Sequence, residues 1–475
     1  MITCRTLRIS LICLAVVALL VGCQPSPSSP GATPTQPATT SAPLPKTPMP
    51  TQSPSATPLA TATPVPTPTS TASSAATLGL AASALAEIAT VQAQVAEVRG
   101  LATSVDPPLD VRDKQGIEQY LQEKLSEEFS LEEELRQLVT LSVLGLISPT
   151  LDLRAFYQEA YAEQIIGAYD FRRDEMILTE RNEFDAMARM TYAHEFVHAL
   201  LDQNFDVDGK LGFNSEECED NPERCAAIQA LMEGDATLAS TTWLQTFGTE
   251  QDQADVAQDS QVDMPVLQNA PLAFVEQLMF PYTVGTAFVN YLFQKGGWKA
   301  VDQAYLDPPV TTEQIMHPER YPADKPQEVT LPDLLPVLGE GWALLEQEIM
   351  GEWSMLLLLA AGIDPDARLS SAEAIPAVAG WGGDIYAVYF HDATGQSVLV
   401  LKTKWETTAE AEEFATALAA HINARVDLTE EEHAKTEAIL GSGIAYVQSK
   451  LQDDMTFYVL SPSKEMSEAI LKAVL

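Results

Sequence analysis

The sequence predicts an α+β protein. Its first part is mostly helical with a small β-hairpin, and a small C-terminal part has the order ββαββα, with helices on one face of an antiparallel sheet. Three observations support this. Apolar residues recur at three- and four-residue steps over much of residues 76–362, as in amphipathic helices. Two short apolar runs at 165–171 and 176–178 flank a charged turn, as in a hairpin. Beyond residue 380 the pattern changes to short strands separated by turns and helices.

The composition limits the function classes. The 475 residues include 67 acidic and 27 basic side chains, a formal net charge of −40. A protein that binds bare nucleic acid usually carries a basic surface, so we exclude nucleic acid as a partner. Apolar residues make up 46% of the chain, which is enough for a core.

The N-terminus predicts export and lipidation. Arg5 and Arg8 precede an apolar run of 14 residues, Ile9–Gly22, which is too short to span a bilayer and is typical of a secretory signal. The run ends in Leu20-Val21-Gly22-Cys23, which resembles a bacterial lipobox. Residues 1–22 are therefore predicted to be a lipoprotein signal peptide and Cys23 the lipidated residue. The alternative is an uncleaved anchor with a chance cysteine.

A tether is predicted to follow. Residues 24–75 contain 14 of the 31 prolines, together with many Ser, Thr and Ala residues, and cannot form a core. Residues 23–75 should therefore be a disordered spacer that holds the folded part away from the membrane. The expected location is the bacterial cell envelope, lipid-anchored to a membrane and outside the cytoplasm.

The remaining cysteines fit this compartment. Cys4 and Cys13 leave with the signal peptide, so the mature chain keeps Cys218 and Cys225 besides the acylated Cys23. Outside the cytosol such a pair is expected to form a disulfide, and the alternative is two free thiols.

The helical part, predicted as a domain at 76–365, is described by its periodicity. Residues 249–263 are polar and predicted to be irregular, and proline-containing turns surround His317. The apolar run Met355–Ala361 is too short to span a membrane, which predicts a buried helix. The predicted helices lie at about 76–99, 114–129, 131–146, 182–202, 223–244, 272–280, 284–294, 298–305 and 342–362.

The C-terminal domain is predicted at 380–475, after a boundary near 363–380. The turn Asp392–Gln396 separates its first two strands. Its predicted elements are strands at 385–390, 397–402, 444–449 and 456–460, and helices at 408–423 and 463–474. His391, His421 and His433 lie here and are interpreted as ordinary surface or strand-end residues.

The sharpest motif is His194-Glu195-Phe196-Val197-His198. Residues four apart lie on one face of a helix, so both imidazoles can reach one ion. Two histidines and a glutamate on a largely apolar helix are costly to bury unless a metal and its water satisfy them. The motif therefore predicts a single catalytic Zn²⁺ as cofactor. The alternative is a histidine pair on an ordinary amphipathic helix.

Zinc needs a third protein ligand and one open position. Residues 201 and 204 are Leu and Asn, and no further histidine occurs within the next hundred residues, so the third ligand should be a carboxylate. Glu233 is the best candidate because it lies in an apolar helical stretch, where a lone carboxylate would be costly. Asp235 is its main rival. The others are acids of the cysteine loop, which we interpret as solvated: Glu216, Glu217, Glu219 and Glu223.

A resemblance follows from these residues. A hairpin, then HExxH on a helix, then a glutamate on a later helix resembles the zincin metallopeptidases, specifically their glutamate-ligand branch, the gluzincins. Over roughly residues 155–320 the chain also resembles a little-characterised group of bacterial surface lipoproteins regarded as zinc metallopeptidases. The stretches that carry this likeness are His194–Gln203, Glu233–Thr237, Gly296–Trp298 and Thr312–Pro318.

The resemblance implies a fold and a reaction. The 76–365 domain would be zincin-like, with zinc bound by His194, His198 and Glu233 and with Glu195 as the general base that takes a proton from the zinc-activated water. The strand near 165–171 would offer its edge to an extended peptide. Many gluzincins place an aspartate four residues after the ligand glutamate, where this chain has Thr237, and Asp235 or Asp202 could orient a ligand histidine instead.

Two residues are candidates for stabilising the oxyanion, His317 and Tyr282, each near a proline-containing turn. Their alternatives are a turn-capping role for His317 and a core-packing role for Tyr282.

The sequence thus predicts a membrane-tethered zinc peptidase, a hydrolase and a monomer, that acts on peptides or proteins and contacts the membrane through Cys23. The alternative function is a non-catalytic surface lipoprotein that uses a zincin-like scaffold for binding or adhesion.

Overall fold

A computed structural model describes residues 82–164, 166–180, 184–259, 265–426 and 446–475. The predicted signal peptide, Cys23, the tether and His433 lie outside the described residues, as do the first residues of the helix predicted at 76–99. Within the described residues the protein is mixed α+β with two small sheets.

The helices and strands are numbered in chain order. The helices are α1 (Ala82–Arg99), α2 (Lys114–Glu128), α3 (Leu131–Val143), α4 (Leu153–Gln164), α5 (Ala186–Phe205), α6 (Ser215–Asp220), α7 (Pro222–Phe247), α8 (Glu250–Asp259), α9 (Pro265–Gln268), α10 (Leu272–Gly296), α11 (Trp298–Leu306), α12 (Thr312–Met316), α13 (Leu335–Leu338), α14 (Gly351–Ala360), α15 (Ser371–Val378), α16 (Thr408–Val426) and α17 (Lys464–Val474). The strands are β1 (Leu109–Arg112), β2 (Gly167–Asp170), β3 (Glu175–Thr179), β4 (Trp342–Glu348), β5 (Trp381–His391), β6 (Gln396–Trp405), β7 (Tyr446–Gln452) and β8 (Met455–Ser461).

The first sheet contains the predicted hairpin. Strand β2 pairs antiparallel with β3, with Tyr169 opposite Met176, and the strand order β1-β3-β2 leaves β2 at an edge. Strand β1, which pairs parallel with β3, and helix α4 were not predicted. Strand β1 is only four residues long, too short for its alternation to stand out from a loop.

Three long helices form the centre of the helical part. Helix α5 is capped by Asp185, whose side chain accepts a hydrogen bond from the backbone N–H of Ala188. Helices α7 and α10 cross in backbone contact, because a Cβ atom on Gly234 would lie 2.3 Å from the carbonyl oxygen of Gly285. The predicted break between residues 280 and 284 is wrong. Helix α10 continues through Pro281 because the buried residues on both sides keep packing in helical register.

The prediction that 249–263 is irregular is wrong for residues 250–259, which form α8. Thr249 and Asp252 cap this helix reciprocally: the Asp252 carboxylate accepts from the Thr249 N–H, and the Thr249 hydroxyl accepts from the Asp252 N–H. This cap and the packing of the buried Val256 together favour a helix in a segment without an apolar stripe.

The prediction of one helix over 342–362 is also wrong. Residues 342–348 form β4, which pairs antiparallel with β5, and α14 begins only at Gly351. Gly351 has φ +77°, and the Asp384 carboxylate accepts hydrogen bonds from the N–H groups of Met350 and Gly351. The chain therefore turns between strand and helix. The apolar run within α14 is buried, as predicted, while the domain boundary near 363–380 stays a prediction.

The second sheet is antiparallel throughout, in the order β4-β5-β6-β8-β7. Leu399 packs on the side of α16, whereas its neighbours Val398 and Val400 pack on the side of α17. The expectation that the helices cover a single face is therefore wrong. Both sheet faces are apolar and need burial, so a helix lies on each.

Among the described residues, one helix, α10, is long and apolar enough by composition to cross a membrane. It packs along α7, and 39% of its most apolar 18-residue window is buried.

Candidate metal centre

Helix α5 presents the two motif histidines on one face. His194 and His198 are one turn apart, and both are buried, as is Glu195 between them. The Nε2 atoms of the two histidines lie 3.3 Å apart. The local helical spacing therefore brings two imidazole nitrogens to one point.

Helix α7 brings a carboxylate to the same point. Oε2 of Glu233 lies 3.0 Å from Nε2 of His194 and 3.4 Å from Nε2 of His198, and Glu233 is fully buried. Burial raises the pKa of Glu233, but the charge of His198 and hydrogen bonding with both histidines outweigh it, so the pKa is lowered well below its usual value. The group of His194, His198 and Glu233 is called the HHE centre below.

The donor set of the HHE centre fits a zinc ion. Zinc binds histidine nitrogen and carboxylate oxygen at about 2.0–2.2 Å, so neighbouring ligand atoms of a tetrahedral site are about 3.3–3.6 Å apart. The three observed separations, 3.0, 3.3 and 3.4 Å, are close to that range. Among the described residues, Oε1 of Glu233 is buried without a hydrogen-bond partner. Three converging lone-pair atoms are better satisfied by one cation than by the few protons that they can share.

The motif glutamate is held by the first sheet. Oε2 of Glu195 accepts a hydrogen bond of 2.8 Å from the backbone N–H of Tyr169, in the edge strand β2. The hydroxyl of Tyr169 donates to Asp202 at 3.1 Å. Burial raises the pKa of Asp202 to about 6. Tyr169 therefore links β2 to α5 at two points, one of them on Glu195. Sequence reasoning included Tyr169 in a strand but did not single it out, because the contact depends on packing.

Aromatic rings border the centre. The ring of Tyr282 lies 6.2 Å from the ring of His194, and that of Phe171 lies 5.8 Å from the ring of His198, measured between centroids. Tyr282 is only 3% exposed. The structure thus brings one of the two predicted oxyanion residues to the HHE centre.

The structure places His317 in a different environment. Its Nε2 atom lies 2.9 Å from Oε1 of the buried Glu352. Hydrogen bonding to Glu352 raises the pKa of His317. None of the contacts of His317 within the described part of the chain reaches the HHE centre, so its expected role at the oxyanion is not supported.

Asp235 does not face the HHE centre, although it lies only two residues after Glu233. It accepts two hydrogen bonds from the Arg99 guanidinium, at 2.7 and 2.9 Å, and a third from the Tyr305 hydroxyl at 2.9 Å. Arg99 and Asp235 are both fully buried. Nδ1 of His198 has no partner among the described residues, so the expectation that Asp235 or Asp202 orients a ligand histidine does not hold for His198.

The prediction that the acids of the cysteine loop are solvated is wrong for Glu223. It was expected to be solvated, but it is buried at the start of α7 and accepts hydrogen bonds from the N–H and hydroxyl of Thr312. Burial raises the pKa of Glu223 to about 8. Ten residues of helix, about 15 Å, separate it from Glu233, so it is not part of the HHE centre.

A second group of carboxylates has a different partner. Glu313, Asp324 and Glu406 lie close enough together to hold a cation. All three already pair with the Arg320 guanidinium, at 2.9, 3.2 and 2.8 Å. One guanidinium therefore compensates part of their charge within the protein.

The structure also tests the predictions for the cysteine pair and for two histidines of the C-terminal part. Cys218 and Cys225 form a disulfide, as predicted. His391 lies at the end of β5, as predicted, but His421 is buried in α16, where its Nδ1 atom lies 2.9 Å from the carbonyl oxygen of Ala367. The interpretation of His421 as a surface residue is therefore wrong.

Comparison with known proteins adds one finding. Residues 343–469 match a family described as a domain of unknown function (DUF8575). No curated protein matches the chain. No solved structure matches it either. The matched segment begins at β4, so the HHE centre lies outside the part of the chain that this family describes.

Proposed function

We propose that the protein is a zinc-dependent peptidase, anchored to a membrane of the bacterial cell envelope through Cys23. The observation that carries this proposal is the HHE centre: three zinc-type donor atoms from two helices converge within 3.4 Å, beside a buried glutamate that is not one of them. Three protein ligands with one open position are the hallmark of a catalytic zinc site, whereas structural sites have four.

The zinc ion and the side chains of the protein would have different roles in the reaction. A zinc ion bound by His194, His198 and Glu233 would polarise a water molecule and a substrate carbonyl. Glu195 takes the proton of the attacking water and later gives it to the leaving amine. The hydrogen bond from the Tyr169 N–H holds Oε2 of Glu195 in place, so the carboxylate does not have to be oriented at the moment of reaction.

The substrate and the oxyanion have candidate partners. Strand β2 is an edge strand whose residues are buried, so an extended peptide could pair with it next to Glu195 only after the segments that cover it move. Tyr282, beside His194, is the candidate donor to the oxyanion.

One observation favours the rival function, a non-catalytic binding protein. His194 is 1% exposed, and Glu195, His198 and Glu233 are fully buried, so a substrate has no direct path to the centre in this conformation. A peptidase would need β2 or α10 to move before cleavage.

The test combines metal analysis with a cleavage assay on the full chain. Wild-type protein should hold one zinc per chain and cleave denatured protein substrates. His194→Ala should lose both properties, and Glu195→Gln should keep zinc and lose cleavage. His391→Ala, a histidine of the second sheet, is the matched control and should change neither. Wild-type protein without stoichiometric zinc would refute the proposal. Zinc binding without cleavage of several substrates would favour the binding role.

A second measurement addresses the anchor. Cys23→Ser should move the protein from the membrane fraction to the soluble fraction, because the acyl chains provide the predicted attachment. Unchanged membrane association would contradict the lipoprotein part of the proposal.

A further inference from the structure

A partly open cavity of about 350 Å³ reaches Tyr282, whose ring lies 6.2 Å from the ring of His194. Its wall includes Phe156 and Tyr157 of α4, Phe274 of α10 and Trp353 of α14. A volume of this size is at the lower end of the range for small-molecule pockets, and such a wall favours an apolar occupant. Apart from Tyr282, the candidate donor to the oxyanion, the residues that line the cavity play no part in the chemistry described above.

The cavity and the HHE centre share one face of α7. Ala226 and Gln229 line the cavity, and Glu233 follows at the same three- and four-residue spacing. At 1.5 Å per residue, Gln229 lies about 6 Å and Ala226 about 10 Å along the helix from the metal-facing glutamate. In an extended peptide these distances correspond to about two or three residues.

Helix α10 also connects the cavity with the HHE centre. Phe274, Leu278 and Tyr282 line the cavity at four-residue steps, and the Tyr282 ring also lies 6.2 Å from the ring of His194. Tyr282 therefore lies between the cavity and the centre. A side chain bound in the cavity could therefore belong to the same peptide as the bond that lies at the HHE centre.

Contacts within the protein hold the aromatic side chains of the cavity wall in fixed positions. The rings of Phe156 and Phe274 stack at 4.9 Å, and the Trp353 indole stacks on Phe280 at 4.5 Å. The indole N–H donates to the Gln277 side chain at 3.1 Å, which fixes the orientation of Trp353. A rigid apolar wall loses little entropy when it receives a flat ring.

From this continuity we infer that the cavity binds a bulky aromatic side chain of the peptide substrate, within about three residues of the bond to be cleaved. The inference rests on the proposed function, since it specifies the substrate of the same centre. The amide side chains of Gln229 and Gln277, which also line the cavity, offer donors and acceptors to a peptide backbone, which a purely hydrocarbon ligand does not need.

The test measures binding separately from cleavage. Calorimetric titration of the full-length protein, metal-free and zinc-loaded, compares N-acetyl-phenylalaninamide with N-acetyl-alaninamide. The phenyl compound should bind at least about tenfold more tightly, because its ring is removed from water. Ala226→Leu, which fills the cavity, should abolish that preference. Ala287→Leu, on the exposed side of α10, is the matched control and should keep it.

A second variant guards against misfolding. Ser354→Leu fills the cavity from α14, and the unfolding transition of each variant is measured beside its affinity. Equal affinity for the two compounds in wild-type protein would overturn the inference, as would a preference that survives in both folded, cavity-filling variants. Tight binding of dodecanoate without a preference between the amides would assign the cavity to a lipid chain and overturn it as well.

A cleavage assay distinguishes a failure of this inference from a failure of the proposed function. If the zinc-loaded protein cleaves peptides but neither binds nor cleaves those with aromatic residues preferentially, the inference fails and the peptidase stands. If the phenyl preference and its loss in Ala226→Leu are found but no peptide is cleaved, the peptidase fails and the cavity remains a site for aromatic side chains.

Discussion

Two acidic residues of α7, only two positions apart, should have separable effects. Glu233 faces the HHE centre, and Asp235 faces Arg99. We expect Asp235→Asn to lower the stability of the fold while stoichiometric zinc binding is kept. Glu233→Gln should lose stoichiometric zinc after dialysis, because an amide oxygen is a much poorer zinc ligand than a carboxylate.

The magnitude for Asp235→Asn follows from its contacts. Removing one member of a fully buried, hydrogen-bonded charge pair costs about 3–5 kcal/mol. Arg99 keeps a second partner, because its Nη2 atom lies 2.7 Å from Asp302, whose side chain is 32% exposed. We therefore expect a loss at the lower end, about 3 kcal/mol, which is a large fraction of the stability of a typical domain.

Zinc content is measured first on each preparation. The metal is then removed, and urea unfolding of the metal-free protein is followed by circular dichroism. Chelator is present during unfolding so that lost metal binding does not appear as lost stability. Asp208→Asn, at an exposed position, is the matched control and should change neither quantity.

One result would refute this reasoning. If Asp235→Asn loses zinc while its unfolding midpoint stays unchanged, then Asp235 and not Glu233 completes the centre. The separation of the two side chains on opposite sides of α7 would then be wrong.

Three further predictions concern stability. Gly234→Ala should destabilise the fold by about 1–3 kcal/mol although alanine favours helices, because its Cβ atom would press on the Gly285 carbonyl; urea unfolding that shows equal or higher stability would contradict the close helix contact. Glu223 has a raised pKa of about 8 in the fold, so the stability that it contributes is full below its unfolded pKa, near 4.5, and is lost as the pH rises toward 8. Glu223→Gln should therefore be more stable than wild type at pH 8, by on the order of 1 kcal/mol, and similar near pH 4.5; a pH-independent difference in unfolding free energy would speak against this. Replacing Cys218 and Cys225 by serine should lower stability by about 2.5 kcal/mol, and an unchanged thermal midpoint would show that the disulfide does not constrain the unfolded chain.

Features that depend on near neighbours could be predicted from the sequence. The two histidines of the motif share a face because they are four residues apart on a helix, whatever the rest of the chain does. The cysteine pair is a similar case, since seven residues of sequence separation keep its members close. Glu233 could be chosen because an uncompensated carboxylate in an apolar helix is costly, a cost that does not depend on knowing the fold.

Features that depend on distant segments required the tertiary structure. Residues 342–348 have an apolar pattern that suits helix or strand, and pairing with β5 made them a strand. The burial of Glu223 depends on Thr312, 89 residues away, and the partner of Asp235 is Arg99, 136 residues away. Which of His317 and Tyr282 lies near the HHE centre was of the same kind, since the crossing of α10 over α7 puts Tyr282 beside His194. Helix periodicity describes which side chains share a face, but which face meets which partner is decided only when the helices pack.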